Sequence, residues 1–319
     1  DIFAEVNEVV SNITIGRSDL SSSYENKSIN PNSIFIAEKC VSIATDAKKF
    51  GFASTDTDPR CVFDDESTDL VVIATRHNSH AEFVVNSLEE GKHVFVEKPL
   101  CLKLSELDSI KNCLEEAKGK EGKGPCLMVG FNRRFSPLVV KAKSLLDGVQ
   151  GPKSFIMTVN AGKIPEEHWT QDPLVGGGRI LGEGCHFIDL LRFLAQSPIQ
   201  SADIIAMDSK TGDTASISLV FENGSIGVIH YFANGSKSYP KERLEVFSGE
   251  RILQLDNFRR LEGYGWPNFR KMKLWRQDKG QDACAKAFIE SIKSNSSAPI
   301  PIEELLEVGR ISIELNGRT

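Results

Sequence analysis

Residues 69–100 read DLVVIATRHNSHAEFVVNSLEEGKHVFVEKPL and contain two short apolar runs with a helical stretch between them. The runs LVVI and HVFV are rich in β-branched and aromatic residues, which is typical of buried strands. Between them, Asn78 or Ser79 can cap a helix that Gly91 ends. A strand, a helix and a second strand in this order predict a parallel pair joined by a right-handed crossover.

The same alternation extends to both sides of this stretch. Further elements are predicted as strands at 13–15, 33–37 and 126–131 and as a helix at 104–120. Together they predict a Rossmann-like α/β domain with a parallel sheet over residues 1–135, whose N-terminal part is degenerate.

From about residue 151 the pattern changes to alternating apolar and polar residues, which is typical of antiparallel strands. Strands are predicted at 153–162, 201–209, 214–232 and 243–265, and one helix at 186–196. The dipeptide Asn223-Gly224 is a strong hairpin signal inside one of these runs. We therefore expect an α+β domain with a large, mainly antiparallel sheet over residues 136–319.

Composition limits the classes of function. The chain has 319 residues, of which 40% are hydrophobic and 26% charged, so it is long enough for two globular domains. A net charge of −6 disfavours nucleic acid as a partner. Seven cysteines without a C-x-x-C pair favour reduced thiols and a cytoplasmic location. No run of 18 apolar residues is present, so we expect no membrane span.

Three predicted parallel strands end in polar residues, namely Thr75-Arg76-His77, Glu97-Lys98 and Asn132-Arg133-Arg134. Charged loop residues are usually just solvated, so one such end would mean little. The carboxyl ends of parallel strands share one edge of the sheet, where α/β proteins bind ligands. Three polar ends at that edge favour a cleft. A zinc site at His77 and His80 is disfavoured, because no Cys or third His has ligand spacing nearby.

A glycine-rich segment, HWTQDPLVGGGRILGEGCHFID at residues 168–189, is a second candidate. Its glycines allow either a tight loop or a close approach of backbone to a ligand. His186 opens the predicted helix and is either a satisfied core histidine or a side chain that contacts a ligand.

These motifs together resemble the glucose-fructose oxidoreductase, inositol dehydrogenase and rhizopine-catabolism (Gfo/Idh/MocA) family. The resemblance rests on VVIATRHNSHAE, VFVEKPL and GGGRILGEGCHFIDLLRFL, and it covers about residue 33 to the C-terminus. GFNRRFSP, HWTQDP and QDKGQ are similar to the branch that is often fused behind a zinc-type alcohol dehydrogenase domain. That similarity implies such a domain upstream in a longer chain.

The resemblance implies an oxidoreductase that uses NAD or NADP to transfer a hydride to or from a sugar or cyclitol. It implies that Lys98 is the general acid/base and that His186 is its partner on the substrate side. It further implies cofactor contacts at Ala74, Thr75, Asn78, His80, Glu97 and Pro99, and substrate contacts at Arg133, His168 and Arg179. A lysine whose pKa is lowered by burial or by a neighbouring cation can remove an alcohol proton near neutral pH.

The phosphate-binding loop departs from the family pattern. Gly16 can be its first glycine, but Ser18 and Ser21 occupy the next two glycine positions. A side chain there opposes the close backbone approach that a pyrophosphate needs. Glu38 lies 22 residues after Gly16, near the spacing of a ribose-binding acid, although a solvated glutamate is equally consistent. The alternative hypothesis is therefore a non-catalytic ligand- or partner-binding protein with impaired dinucleotide binding.

A second departure lies in the glycine-rich motif. Many family members carry an aspartate two residues before its last glycine, where this chain has Gly182 with Glu183 beside it. One carboxylate that orients the substrate is therefore absent or displaced.

The predicted antiparallel sheet bears on assembly. It is rich in Ile, Val and Phe, and helices of the same domain can bury only one of its two faces. The second face would then expose apolar side chains to solvent unless another subunit covers it. We therefore expect a homo-oligomer formed through that second face.

Overall fold

The computed structural model describes residues 13–15, 34–37, 54–56, 58–117 and 124–318. By its contacts the chain divides into a first unit, Asp1–Gly130 with Cys284–Leu306, and a second unit, Phe131–Ala283 with Glu307–Thr319. The sequence pattern predicts a single domain for residues 136–319. The contacts instead assign residues 284–306 to the first unit.

The first unit contains a six-stranded sheet in the order β3-β2-β1-β4-β5-β6. Its strands are β1 (Ile13–Ile15), β2 (Ile34–Ala37), β3 (Ser54–Asp56), β4 (Leu70–Ile73), β5 (His93–Val96) and β6 (Leu127–Val129). Every neighbouring pair is parallel. This is the strand order of a dinucleotide-binding sheet, with the order reversing between β1 and β4. The predicted Rossmann-like fold is confirmed.

The described residues form seven α-helices: α1 (Arg60–Phe63), α2 (His80–Glu89), α3 (Leu104–Glu116), α4 (Pro137–Leu146), α5 (Cys185–Ala195), α6 (Gln281–Lys293) and α7 (Ile302–Asn316). In the first unit, α2 buries Val84 and Leu88 completely or almost so. The carboxylate of Glu106 caps α3 by accepting the backbone N–H groups of Leu102 and Lys103. None of the described helices combines the length and the hydropathy that a bilayer crossing requires.

Helix α6 explains why residues late in the chain belong to the first unit. Its Phe288 is 1% exposed, and its ring centroid lies 5.9 Å from that of Phe95 on β5. Cys284, Ala285 and Ile289 are also buried on α6. The helix therefore completes the core of the parallel sheet, which a reading of local periodicity cannot detect.

The second unit is built on an eight-stranded sheet in the order β14-β13-β12-β11-β7-β10-β9-β8. Its strands are β7 (Ser154–Asn160), β8 (Ile199–Ala206), β9 (Ala215–Phe221), β10 (Ile226–Phe232), β11 (Glu242–Ser248), β12 (Arg251–Asp256), β13 (Arg260–Tyr264) and β14 (Lys271–Lys273). The predicted, mainly antiparallel sheet is confirmed. The exception is the parallel pair of β7 and β10, which brings strands from distant parts of the chain together.

One face of this sheet keeps large apolar side chains exposed. They include Ile156, Val220, Ile226, Phe232, Phe247 and Tyr264. Along β7, β9, β10 and β11 the alternate residues are buried on the opposite face.

Candidate active site

The carboxyl ends of β4, β5 and β6 lie at one level of the parallel sheet. Ile73 pairs with Val96, and Val96 pairs with Val129, so the three strands stop in register. The residues that follow β4 and β5, from Ala74 and from Glu97 onward, therefore start at the same edge. This edge is where doubly wound sheets bind their ligands.

The turn after β4 presents a polar surface at this edge. Ala74 and Thr75 are half-buried, and Asn78 is exposed in the 3₁₀ turn His77–Ser79. The hydroxyls of Thr75 and Ser79 are 2.6 Å apart, which ties the strand end to the start of α2. Three of the predicted cofactor residues are thus brought together at an accessible strand end.

His80 was predicted to line the cofactor, but it lies beneath this edge with 0% exposure. Its Nδ1 lies 2.7 Å from the carbonyl oxygen of Pro99, and its Nε2 lies 3.1 Å from that of Thr75. We assign it a neutral ring that donates to the nearer carbonyl, because burial lowers the pKa of His80 to about 4, and the charge of Lys98 acts in the same direction. The single N–H of this neutral ring therefore ties the start of α2 to the loop that carries Lys98.

The burial of His80 predicts a dependence of stability on pH. An unfolded chain protonates this histidine near its ordinary pKa of 6.5, whereas the folded chain does so only near 4. As the pH falls through this window, the unfolded state binds the extra proton, so the free energy of unfolding should drop by roughly 3 kcal/mol. His80→Gln should lose this part of the slope in urea unfolding measured from pH 7 to pH 4. His168→Gln, which changes an exposed histidine, should keep it; equal slopes for wild type and His80→Gln would contradict the assignment.

The loop after β5 carries the central charged pair. Glu97 and Lys98 are half-buried, and Pro99 is buried and joined to Lys98 by a cis peptide bond. The carboxyl group of Glu97 lies over Gly130, where a Cβ would come within 3.1–3.2 Å of its atoms. A glycine after β6 therefore leaves the space that Glu97 occupies at the edge of the sheet.

In the second unit, His186 lies in the first turn of α5. A π-helical turn, Ile180–Gly184, leads directly into this helix, and π-turns occur often at functional sites. His186 is 6% exposed, and its ring centroid lies 6.1 Å from that of Phe131.

Arg133 was predicted to contact the substrate, and the structure places it in a buried ion pair. Its guanidinium donates to Glu242 at 2.8 Å and lies over the Phe187 ring at 4.9 Å. The ammonium of Lys279 donates to the same carboxylate oxygen at 3.0 Å. Burial alone would raise the pKa of Glu242, but the charges of Arg133 and Lys279 outweigh it and hold that pKa below its usual value.

The loop that carries Lys279 is fixed by its packing. The Asn132 amide donates to the Lys279 carbonyl at 2.8 Å. The next residue, Gly280, has φ +83°, and a Cβ there would lie 2.4 Å from the Ser136 nitrogen. The QDKGQ motif is thereby held against the 3₁₀ turn that contains Arg133.

Arg179, the second predicted substrate residue, also has internal partners. It donates to the Gly162 carbonyl at 2.6 Å and to Glu183 at 3.1 Å. Glu183 also accepts hydrogen bonds from Lys241, at 2.6 Å, and from the Tyr231 hydroxyl. Burial would raise the pKa of Glu183, but its neighbours, Lys241 first among them, lower it to about 2. Sequence reasoning noted Glu183 but missed Lys241 and Tyr231, which are distant in the chain.

Three predicted residues remain, namely His168, Gly16 and Glu38. His168 is exposed, and its Nδ1 lies 2.8 Å from the Thr170 hydroxyl at the start of a short 3₁₀ turn. Gly16 and Glu38 lie outside the described residues, so their predicted contacts with a dinucleotide stay predictions.

Comparison with protein families gives two matches. A model described as "Oxidoreductase family, NAD-binding Rossmann fold" matches residues 32–122, and the GFO/IDH/MocA C-terminal domain matches residues 140–252. Together they span well over half of the chain. The chain belongs to the Gfo/Idh/MocA oxidoreductase family. The predicted NAD-type cofactor is confirmed by the NAD-binding fold of this family.

Known relatives of this Gfo/Idh/MocA chain include the myo-inositol 2-dehydrogenase of Thermotoga maritima. The two are 29% identical over an alignment that covers 66% of this chain and 64% of the length of that relative. Among solved structures, an oxidoreductase domain protein from Kribbella flavida has a TM-score of 0.81 at 20% identity, with 98% of each chain covered. A levoglucosan dehydrogenase in complex with NADH and levoglucosan has a TM-score of 0.80 at 20% identity, covering 96% of this chain and 97% of that one. At such identities the two structures show a shared fold.

Proposed function

We propose that this chain is an NAD- or NADP-dependent oxidoreductase that transfers a hydride between nicotinamide and an alcohol or ketone carbon of a sugar or cyclitol. The observation that carries the proposal is the position of Lys98 at the carboxyl edge of a sheet with dinucleotide-binding strand order, level with the end of β4. The names of relatives that act on myo-inositol and levoglucosan support the substrate class.

Lys98 has the chemistry that this reaction needs. Oxidation of a secondary alcohol removes a hydride from carbon and a proton from oxygen. The half-buried amine of Lys98 is proposed to take that proton, and to return it when the ketone is reduced. The bound nicotinamide supplies the redox chemistry, while the protein supplies position and proton transfer.

The other residues receive supporting roles. Ala74, Thr75 and Asn78 are proposed to contact the nicotinamide end, with Glu97 and Pro99 beneath it. His186 is proposed to bind the substrate on the second unit. Because Arg133 and Arg179 are already ion-paired, we propose that they act by holding Glu242 and Glu183 in place. A direct contact of His168 with substrate stays a prediction.

A non-catalytic binding protein on the same fold is the second candidate. The observation that favours it is the presence of Ser18 and Ser21 where a phosphate-binding loop needs glycines. Left-handed backbone costs a non-glycine residue roughly 1–2 kcal/mol, which is about a tenfold loss of affinity.

Titration with NADH and NADPH, followed by nicotinamide fluorescence, separates the two candidates. We expect weak binding by the unaltered chain and at least about tenfold tighter binding after Arg17→Ala, Ser18→Gly and Ser21→Ala restore the loop. Ser23→Gly, outside the motif, is the matched control and should change nothing. A low-micromolar dissociation constant for the unaltered chain would refute the loop hypothesis. Absence of binding even after restoration would refute the oxidoreductase.

Three further proposals concern the cellular context. We propose a homo-oligomer formed through the exposed apolar face of the eight-stranded sheet, where Ile156 and Phe247 lie. The cytoplasmic location and the upstream zinc-type alcohol dehydrogenase domain also stay predictions.

A further inference from the structure

The second unit gathers more positive than negative charge beside the first turn of α5. Four cations meet three carboxylates there: Arg133, Arg179, Lys241 and Lys279 with Glu183, Asp213 and Glu242. The stem of a fifth cation, Lys237, passes Gly162, with its Cε 3.6 Å from where a Cβ would lie. We call the seven residues in contact the cationic cluster.

The excess charge follows from shared carboxylates. Glu242, whose side chain is fully buried, serves both Arg133 and Lys279. Glu183 serves both Arg179 and Lys241. Asp213 lies 3.7 Å from Arg179, so Glu183 and Asp213 together balance the charges of Arg179 and Lys241. The excess is therefore one positive charge, and it lies beside Glu242, which alone serves Arg133 and Lys279.

The two arginines and the two lysines differ in their access to solvent. The side chains of Arg133 and Arg179 are each 7% exposed, whereas those of Lys279 and Lys241 are 17% and 41% exposed. The accessible surface of the cationic cluster is therefore made by the two lysines together with Glu183, whose side chain is 20% exposed. Burial first, and then the charges of Arg133 and Lys241, lower the pKa of Lys279. An anion can reach the two lysines without displacing the buried guanidinium groups.

The cationic cluster lies beside His186. Glu183 precedes His186 by three residues, on the π-turn that runs into α5. Arg133 lies over the ring of Phe187, the residue after His186. Lys241 donates to Glu183, and Lys279 shares Glu242 with Arg133, so both lysines border the first turn of α5.

We propose that the substrate is an acidic sugar whose carboxylate or phosphate is bound by Lys241 and Lys279. This inference rests on the proposed function, because it assumes that His186 marks the substrate side. Charge-assisted hydrogen bonds are roughly twice as strong as neutral ones. Because the lysines are partly buried, water competes less strongly with an anion for their ammonium groups. A neutral sugar would leave the excess positive charge uncompensated.

The experiment measures sugar binding without turnover, by saturation-transfer NMR on the full chain. The probes are D-glucuronate, D-glucose 6-phosphate and D-glucose, which share a ring and differ in charge. At least one acidic sugar should bind about tenfold or more tightly than glucose, and a rise in salt from about 50 to 500 mM should reduce that preference. The better of the two acidic probes identifies the group as carboxylate or phosphate.

Variants separate ligand binding from a purely structural role. Lys241→Gln with Lys279→Gln should reduce the preference to less than about twofold, while Lys241→Arg with Lys279→Arg should retain it. Lys143 on α4, which is ion-paired with Asp147, provides the matched control: Lys143→Gln should leave the preference unchanged. Thermal unfolding of each variant identifies any loss of folding.

Three outcomes would overturn the inference: equal affinity for all three sugars, tighter binding of glucose, or no binding of any sugar at about 50 mM. A dissociation constant above that concentration is too weak for specific recognition. Hydride transfer to neutral polyols without preference for acids would contradict this inference and leave the proposed function intact. Binding of an acidic sugar, together with failure of the loop-restored chain to bind either dinucleotide, would support this inference and contradict the proposed function.

Discussion

Replacing Lys98 with alanine should slow hydride transfer by about 10²–10⁴-fold, the usual contribution of a positioned proton-transfer group. Lys98 follows the end of β5, which is level with the end of β4. The substitution removes its amine and alters no other side chain at that edge of the sheet. Cofactor affinity should change far less, because the pyrophosphate of a Rossmann ligand is held at another loop. The measurement is single-turnover absorbance of the nicotinamide in the loop-restored chain, with its dissociation constant determined in parallel.

Lys111→Ala is the matched control for this experiment. Lys111 is exposed on α3 of the same unit and has no role in the proposed chemistry. Its replacement should leave both the rate and the affinity unchanged. A rate for Lys98→Ala within about threefold of the parent would remove Lys98 from the proton-transfer step, since a general acid/base contributes far more.

Replacing Asp189 with alanine should lower the free energy of unfolding by about 3–5 kcal/mol. Asp189 on α5 accepts two hydrogen bonds from Arg134, one of them from Nε at 3.1 Å. The two side chains are 4% and 1% exposed, so the substitution deprives a buried guanidinium of its carboxylate. Urea denaturation measures the loss.

The pair of Lys143, on α4, and Asp147, the residue after that helix, provides the control. Asp147 is 48% exposed, so Asp147→Ala should cost less than about 1 kcal/mol. The double replacement Arg134→Met with Asp189→Leu should recover much of the loss, because an apolar pair carries no desolvation cost. If Asp189→Ala proves as mild as Asp147→Ala, the pair at α5 does not stabilise the fold.

Local patterns predicted the elements of both sheets well. The strands that became β4 and β5 are short and uniformly apolar, because parallel strands are buried on both faces. The helix predicted from residue 77 begins as α2 only at His80, because residues 77–79 form a 3₁₀ turn closed by hydrogen bonds from Ser79 to Arg76. Such differences at element ends arise from a few side chains and leave the topology unchanged.

Contacts between distant residues could not be predicted in the same way. Arg133 and Glu242 are 109 residues apart, and nothing in the pattern around either residue identifies the other as its partner. The parallel pairing of β7 with β10 is equally non-local. The periodicity of apolar residues does not predict the burial of His80 either. A histidine at the start of a helix is as compatible with an exposed position as with burial between two loops. Candidate residues at the sheet edge were therefore found, while the partners that fix their roles were not.

The packing of Phe288 against Phe95 has a consequence for biosynthesis and for protein engineering. A ribosome completes every strand of the parallel sheet more than 150 residues before it reaches the helix that covers Phe95. Until α6 is synthesised, part of the core of the nascent N-terminal unit therefore stays exposed to solvent. Exposed apolar surface of this kind promotes aggregation and is bound by chaperones. A gene fragment that stops after β6 encodes an incomplete unit, so a transplant of this nucleotide-binding sheet has to include α6 as a separate insert.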